Sequence, residues 1–148
     1  MTLIDKTAAG QTDFIAFEID MKHAPEKVWR ALTEPALLAE WLLPTVGLEL
    51  APGASFTLKT QAYPPWDGTV NCRVLEVETY KKLTYAWVVG AMGLDTVLTF
   101  TLTPTDGGTR LSIVQSGFKP EQKQNFGGAR YGWKMMGSKL EELLERGA

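Results

Sequence analysis

The chain has 148 residues, 45% hydrophobic and 22% charged, with 15 Lys and Arg against 17 Asp and Glu for a formal net charge of −2. That length carries one domain with a core that needs no staples, and the near-neutral balance supplies no basic face of the kind that grips nucleic acid. A single cysteine, Cys72, excludes an intramolecular disulfide and a cysteine-rich zinc site, and no apolar run approaches the ~20 residues that span a bilayer.

The expectation is therefore a cytoplasmic protein with neither nucleic acid nor membrane as partner. The opening "MTLIDKTAAGQTDF" has no positive stretch followed by an apolar one and does not read as a secretory signal. Residues 1–11 read as a flexible polar arm, and residues 12–147 as a single domain.

In "FIAFEIDMK", Ile15, Phe17, Ile19 and Met21 alternate with Ala16, Glu18 and Asp20, which predicts a half-buried strand. "HAPEKVWRAL" predicts a helix, with Pro25 in its first turn, Glu26 near the positive end of the dipole, and Val28, Trp29 and Leu32 inward. Thr33-Glu34-Pro35 interrupts it, because the residue before a proline disfavours helical geometry. "PALLAEWL" is then a second short helix.

The middle of the chain alternates strand and turn. "PGASFTLKT" offers Phe56 and Leu58 to one face after a Pro-Gly turn. "GTVNCRVLEVET" turns Val70, Cys72 and Val74 inward, then shifts phase at Leu75 and Val77, as a β-bulge would make it do. "KLTYAWVV" groups Leu83, Tyr85 and Trp87. "TVLTFTLTP" groups Leu98, Phe100 and Leu102, with the threonines opposite. After a "DGG" turn, "TRLSIVQSGF" groups Leu111, Ile113 and Gln115. The short connections predict an antiparallel meander. Strands followed by a segregated long helix predict an α+β domain with its sheet covered on one side.

The terminal helix has two unlike halves. Phe126, Ala129, Trp133, Met136, Leu140 and Leu143 form one stripe. "SKLEELLER" is an ordinary amphipathic half. "NFGGARYGWKMMG" carries Gly127, Gly128, Gly132 and Gly137 among Trp133, Met135 and Met136, although an interior Gly costs a helix about 1 kcal/mol relative to Ala. Two readings stand: close packing of helix on sheet with gap-filling methionines, or a helix end lying over a hollow.

Catalytic constellations are scarce. His23 is the only histidine and is expected to be solvated at the turn before the first helix. One His and one Cys build neither a Ser-His-Asp triad, nor a Cys-His pair, nor a His-rich metal centre. "GGARYG" lacks the Gly-Lys-Ser/Thr ending of a phosphate loop. No catalytic residue, metal ligand or cofactor site is assigned, and an enzyme is the less favoured expectation. Tyr63, Tyr85, Tyr131, Gln115, Asp67, Asp95 and Arg130 are the polar residues within reach of an interior hollow. Tyr85 and Gln115 stand out because they interrupt apolar inward faces. A buried Gln needs partners, here Tyr85, a backbone group, water or a ligand. Cys72 reads as an inert core residue. "YPPWDG", with Tyr63 and Trp66, reads as a stiff aromatic hairpin tip, either packed on its own sheet or set at a pocket mouth.

The stretches "APEKVWRALTEPALLAEWL", "APGASFTL", "RVLEVETYKKLTYAW", "TFTLTPTDGGTRLSIVQSGF" and "GWKMMGSKLEELL" occur in an order that resembles the family of domains similar to the C-terminal part of the activator of Hsp90 ATPase. That family lies in the START-like, Bet v 1-like (SRPBCC) superfamily, and the resemblance covers roughly residues 13–146. It implies a helix-grip fold: a curved antiparallel sheet wrapped around the long C-terminal helix, with two short helices after the first strand and an apolar cavity between sheet and helix. It therefore favours the hollow, and a small hydrophobic or aromatic ligand within it. The expected lining is Trp41, Phe56, Leu58, Tyr85, Trp87, Leu98, Phe100, Gln115, Trp133 and Met136. Two departures bear on function. Where many relatives have histidine in a "THSGF"-like stretch, this chain has Gln115 in "VQSGF", and Gln shuttles no proton at neutral pH. The eukaryotic co-chaperone also uses a separate N-terminal domain, so Hsp90 activation does not carry over with the resemblance. The alternatives are a polyketide-cyclase-like enzyme that orients its substrate in the same cavity, and a module that contacts a chaperone such as Hsp90. Both a monomer and a homodimer are compatible with the sequence.

Overall fold

A computed structural model describes residues 3–8, 10, 13–62 and 66–147. The order of elements is β1 (Leu3–Asp5), β2 (Phe14–Met21), α1 (Pro25–Thr33), α2 (Pro35–Trp41), β3 (Thr45–Val46), β4 (Ser55–Lys59), β5 (Thr69–Glu78), β6 (Lys82–Val89), a 3-10 turn (Gly90–Met92), β7 (Leu94–Thr105), β8 (Gly108–Ser116) and α3 (Lys123–Glu145). The strands form one antiparallel sheet in the order β1-β2-β8-β7-β6-β5-β4-β3. β4 to β8 are the expected meander; β2 then pairs with β8, and β1 and β3 are the edges. The inward face of the sheet packs on α3 and on the α1–α2 pair, the expected helix-grip arrangement.

Local chemistry sets the elements. Pro25 occupies the first turn of α1, where its missing N–H is not needed. Glu34 is extended, at φ −87° and ψ 121°, as the residue before Pro35 must be; it ends α1 and starts α2. The expected bulge lies in β5, where the register on β6 slips between Val74 and Glu76. It turns Leu75 outward, to 46% exposure, so Leu75 does not join the inward set.

One buried cluster runs through the molecule. It takes Ile15, Phe17 and Ile19 from β2, Val28 and Leu32 from α1, Leu38 and Trp41 from α2, Leu98 and Phe100 from β7, and Trp133, Leu140 and Leu143 from α3.

The arm expected over residues 1–11 is corrected at Leu3–Asp5, which pair with Phe17–Ile19 as edge strand β1; Met1, Thr2, Ala9, Gln11 and Thr12 lie outside the described residues. Two contacts hold β1. Asp5 Oδ2 accepts a 2.6 Å hydrogen bond from Arg130 Nε and lies 3.8 Å from Lys134 Nζ. Leu3 packs on Gly137, where a Cβ would come within 3.0 Å of Leu3 Cδ1. Burial opposes the charge of Asp5, but the Arg130 hydrogen bond and the Thr7 amide hold its carboxyl below the usual range. Polar spacing on its own hid this strand. Among the described residues, no helix is long and apolar enough to cross a membrane.

Candidate functional site

The two halves of α3 meet the sheet differently. Leu140, Leu143 and Leu144 are buried against the core. Toward the N-terminus, a Cβ added at Gly128 would meet nothing within 4 Å, and one at Gly132 only Met136 Cε at 3.8 Å. The absent side chains leave a cleft of about 370 Å³ between this half of α3 and the sheet. Its roof is Gly128, Ala129, Gly132, Trp133 and Met136. Its floor is Val70 of β5, Trp87 and Val89 of β6, Leu94 of β7 and Gln115 of β8. Leu43, Trp66 and Met92 close the rim, with Gln124 and Asn125 at the helix start.

The start of α3 is tied to the rim. Gln122 Oε1 accepts from the Lys119 amide at 2.9 Å, and Gln122 Nε2 donates to the Gly93 carbonyl at 2.8 Å. Phe118 and Phe126 meet edge to face, 5.4 Å between centroids. The Trp66 indole N–H donates to the Thr69 carbonyl at 2.8 Å. These contacts hold the rim without filling the space beneath it.

Gln115 is the polar centre of the cleft. It is 2% exposed. Its Oε1 accepts from Trp133 Nε1 at 2.8 Å, and its Nε2 donates to Thr96 Oγ1 at 3.0 Å. Thr96 in turn donates to the Trp87 carbonyl at 2.8 Å. The partners are thus Thr96 and Trp133, and Tyr85 is not one of them. Thr96 corrects the expectation that the threonines of this strand lie opposite its apolar residues: two positions before Leu98, it shares the inward phase of Leu98 and Phe100 and is buried with them.

Of the expected lining, Trp87, Gln115, Trp133 and Met136 come together at the cleft. Trp41, Phe56, Leu58, Tyr85, Leu98 and Phe100 are placed instead in the packed core. Aromatic contacts do the filling: Phe56–Tyr85 at 5.1 Å, Tyr85–Phe100 at 6.1 Å, Trp41–Phe100 and Phe100–Trp133 both at 6.2 Å. Trp41 Nε1 also donates to the Ala31 carbonyl at 2.7 Å, which fastens α2 to α1. Inward phase in the sequence marks all of these residues alike. Only the position of Gly128 and Gly132 on α3 decides which lie beside open space. Leu43, Met92, Gln124 and Asn125 gave no sequence signal, because they sit on loops and at a helix end.

The other polar candidates lie elsewhere. Tyr131 is 66% exposed, and Met135 also faces solvent rather than the hollow. Asp67 caps the Thr69 amide at 2.9 Å, Arg130 is held by Asp5, and Asp95 is exposed on β7. Tyr63 and the prolines of the hairpin tip lie outside the described residues. His23 is partly buried rather than solvated. Its Nδ1 lies 3.3 Å from Lys27 Nζ, its Nε2 is buried without a hydrogen-bond partner among the described residues, and burial lowers its pKa.

Burial drives the interior acids away from ionisation. It pushes the Cys72 thiol up to about 12 and holds the Tyr85 phenol protonated well above its usual range, with Cys72 a lesser contributor. Both therefore stay neutral at physiological pH. The cleft can seat an apolar body and offer hydrogen bonds from uncharged amides.

Comparison with known proteins agrees with this architecture. The profile of the family described as Activator of Hsp90 ATPase homolog 1-like protein matches residues 22–145. None of the curated proteins matches the chain. Among solved structures, protein MLL2253 from Mesorhizobium loti is 43% identical, with a TM-score of 0.83 over 90% of this chain and 97% of its own. CalU16 from Micromonospora echinospora shares the fold at 23% identity and a TM-score of 0.74, over 96% of this chain and 83% of its own. DynU16, a protein in the dynemicin biosynthetic locus, shares it at 22% identity and a TM-score of 0.78, over 93% of this chain and 49% of its own. With a family profile that spans most of its length and a 43%-identical relative matched almost end to end, the chain belongs to the activator of Hsp90 ATPase homolog 1-like family.

Proposed function

We propose that this protein binds a small, predominantly apolar molecule in the cleft between its sheet and the glycine-bearing half of α3. The observation that carries the reading is the gap itself. Space of about 370 Å³ persists beneath Gly128 and Gly132, bordered by Trp87, Trp133 and Met136 and by one buried carboxamide. Apolar walls with a few convergent polar groups, in a volume of ~300–1,000 Å³, are the usual character of small-molecule sites. Close packing alone does not account for Gly128, since alanine there would favour the helix and touch nothing.

A neutral fluorescent probe, N-phenyl-1-naphthylamine, tests the proposal. The wild-type protein is expected to enhance its emission saturably. Gly128→Leu, which projects a side chain into the open space, is expected to abolish that enhancement while far-UV circular dichroism is unchanged. Equal enhancement by both proteins would place the probe elsewhere and overturn the reading. A chaperone-contacting module would show the opposite pattern, with partner binding that survives Gly128→Leu.

A further inference from the structure

We infer that the ligand of this cleft is a neutral aromatic molecule bearing a hydroxyl or carbonyl group, and that the carboxamide of Gln115 engages that group; the inference rests on the cleft being the ligand site. The orientation of the carboxamide follows from its neighbours. An indole N–H only donates, so the atom 2.8 Å from Trp133 Nε1 is the carbonyl oxygen. The Thr96 hydroxyl donates its one proton to the Trp87 carbonyl, so it turns a lone pair toward Gln115 and accepts from Nε2. Both neighbours select the same orientation, and the side chain is locked against the flip.

These bonds use one of the two Nε2 protons and one of the two Oε1 lone pairs. Among the described residues, one donor and one acceptor remain, fixed in direction on a side chain that is 2% exposed and borders the cleft. A buried donor or acceptor left unmet is unfavourable, so a ligand that brings a hydroxyl or carbonyl to this point gains over one that does not.

Charge narrows the class further. The described residues that border the cleft are apolar side chains, glycines and the amides of Gln115, Gln124 and Asn125; none carries a formal charge. A carboxylate or phosphate entering there loses its hydration and meets no cation. The walls favour flat rings, since Trp87 and Trp133, 5.9 Å apart and tilted 54° to one another, both border the cleft.

The test is equilibrium dialysis of the whole protein at pH 7 against three molecules with one skeleton: naphthalene, 2-naphthol and 2-naphthoate. 2-Naphthol is expected to bind roughly three- to tenfold more tightly than naphthalene, the yield of one net hydrogen bond. 2-Naphthoate is expected to bind at least about tenfold more weakly than naphthalene, since its charge is desolvated without compensation. In Gln115→Met the ratio of naphthol to naphthalene affinity should fall to about one. Should that variant not fold, the wild-type series decides alone. Naphthol no tighter than naphthalene, or naphthoate the tightest of the three, overturns the inference while the cleft stands as a ligand site. Failure of naphthalene and N-phenyl-1-naphthylamine alike removes the site itself, and the inference with it.

Discussion

Gln115 sits at the inward position that follows Leu111 and Ile113 on β8, and an apolar residue there would satisfy the sheet. The carboxamide instead joins three elements, β8, β7 and α3, through Thr96 and Trp133. The alternating phase of the strand by itself turns Gln115 inward. Its partners lie 19 residues before it and 18 after it, beyond the reach of local pattern. Cys72 and Tyr85 carry a prediction of their own at this scale. Unfolded Cys72 loses its proton near the usual 9.0, whereas the folded thiol holds it to about 12. Between those values the native state binds more protons than the unfolded one, so stability must fall as pH rises through that window and be level in this term below it. Tyr85, displaced the same way, adds to the fall. Urea midpoints measured from pH 8 to 11 should decline above pH 9, less steeply in Cys72→Val. A wild-type slope no steeper than that of the variant would contradict the assigned burial.

α3 shows how one element serves two purposes. Its stripe of Phe126, Ala129, Trp133, Met136, Leu140 and Leu143 was readable from spacing, and so was the contrast between its halves. The separate meanings of its glycines were not. Gly127 faces open solvent space, Gly128 and Gly132 roof the cleft, and Gly137 makes room for Leu3. Their substitutions should therefore differ although the helix is the same. Gly127→Ala, with nothing near its new methyl, should stabilise the protein by about 0.5–1 kcal/mol. Gly137→Ala must displace Leu3 by a few tenths of an ångström and loosen β1, so its gain should be smaller or reversed. Denaturant titrations of the two variants settle the comparison, and equal gains would mean that Leu3 does not pack on Gly137. No pattern in "LID" could announce this contact, because a strand of three residues completes no alternation.

At the scale of the molecule, a single buried cluster draws on α1, α2, α3 and the strands between them. Neither the sheet nor α3 can bury its apolar face without the other. Unfolding should accordingly be one cooperative transition, with far-UV circular dichroism and tryptophan fluorescence tracing coincident curves. The tryptophans report widely: Trp29 and Trp41 from the two short helices, Trp87 from the sheet and Trp133 from α3. Two separated transitions would show that the helical end or the sheet holds its structure alone.

The sequence by itself determined the succession of elements, the inward face of each long strand, the bulge in β5 and the break between α1 and α2. These depend on residues a few positions apart, where alternation, 3.6-residue spacing and the constraint before Pro35 act directly. It also carried the family, through short stretches in a shared order. Tertiary structure alone decided which inward aromatics fill the core and which border the cleft. Trp41, Phe56, Tyr85 and Phe100 share their inward phase with Trp87 and Trp133, and only the approach of a distant helix separates the two sets. The same holds for β1, which exists because Arg130, Lys134 and Gly137 receive it across more than a hundred residues. Periodicity tells a side chain which way to face, and packing decides whether anything is there to meet it.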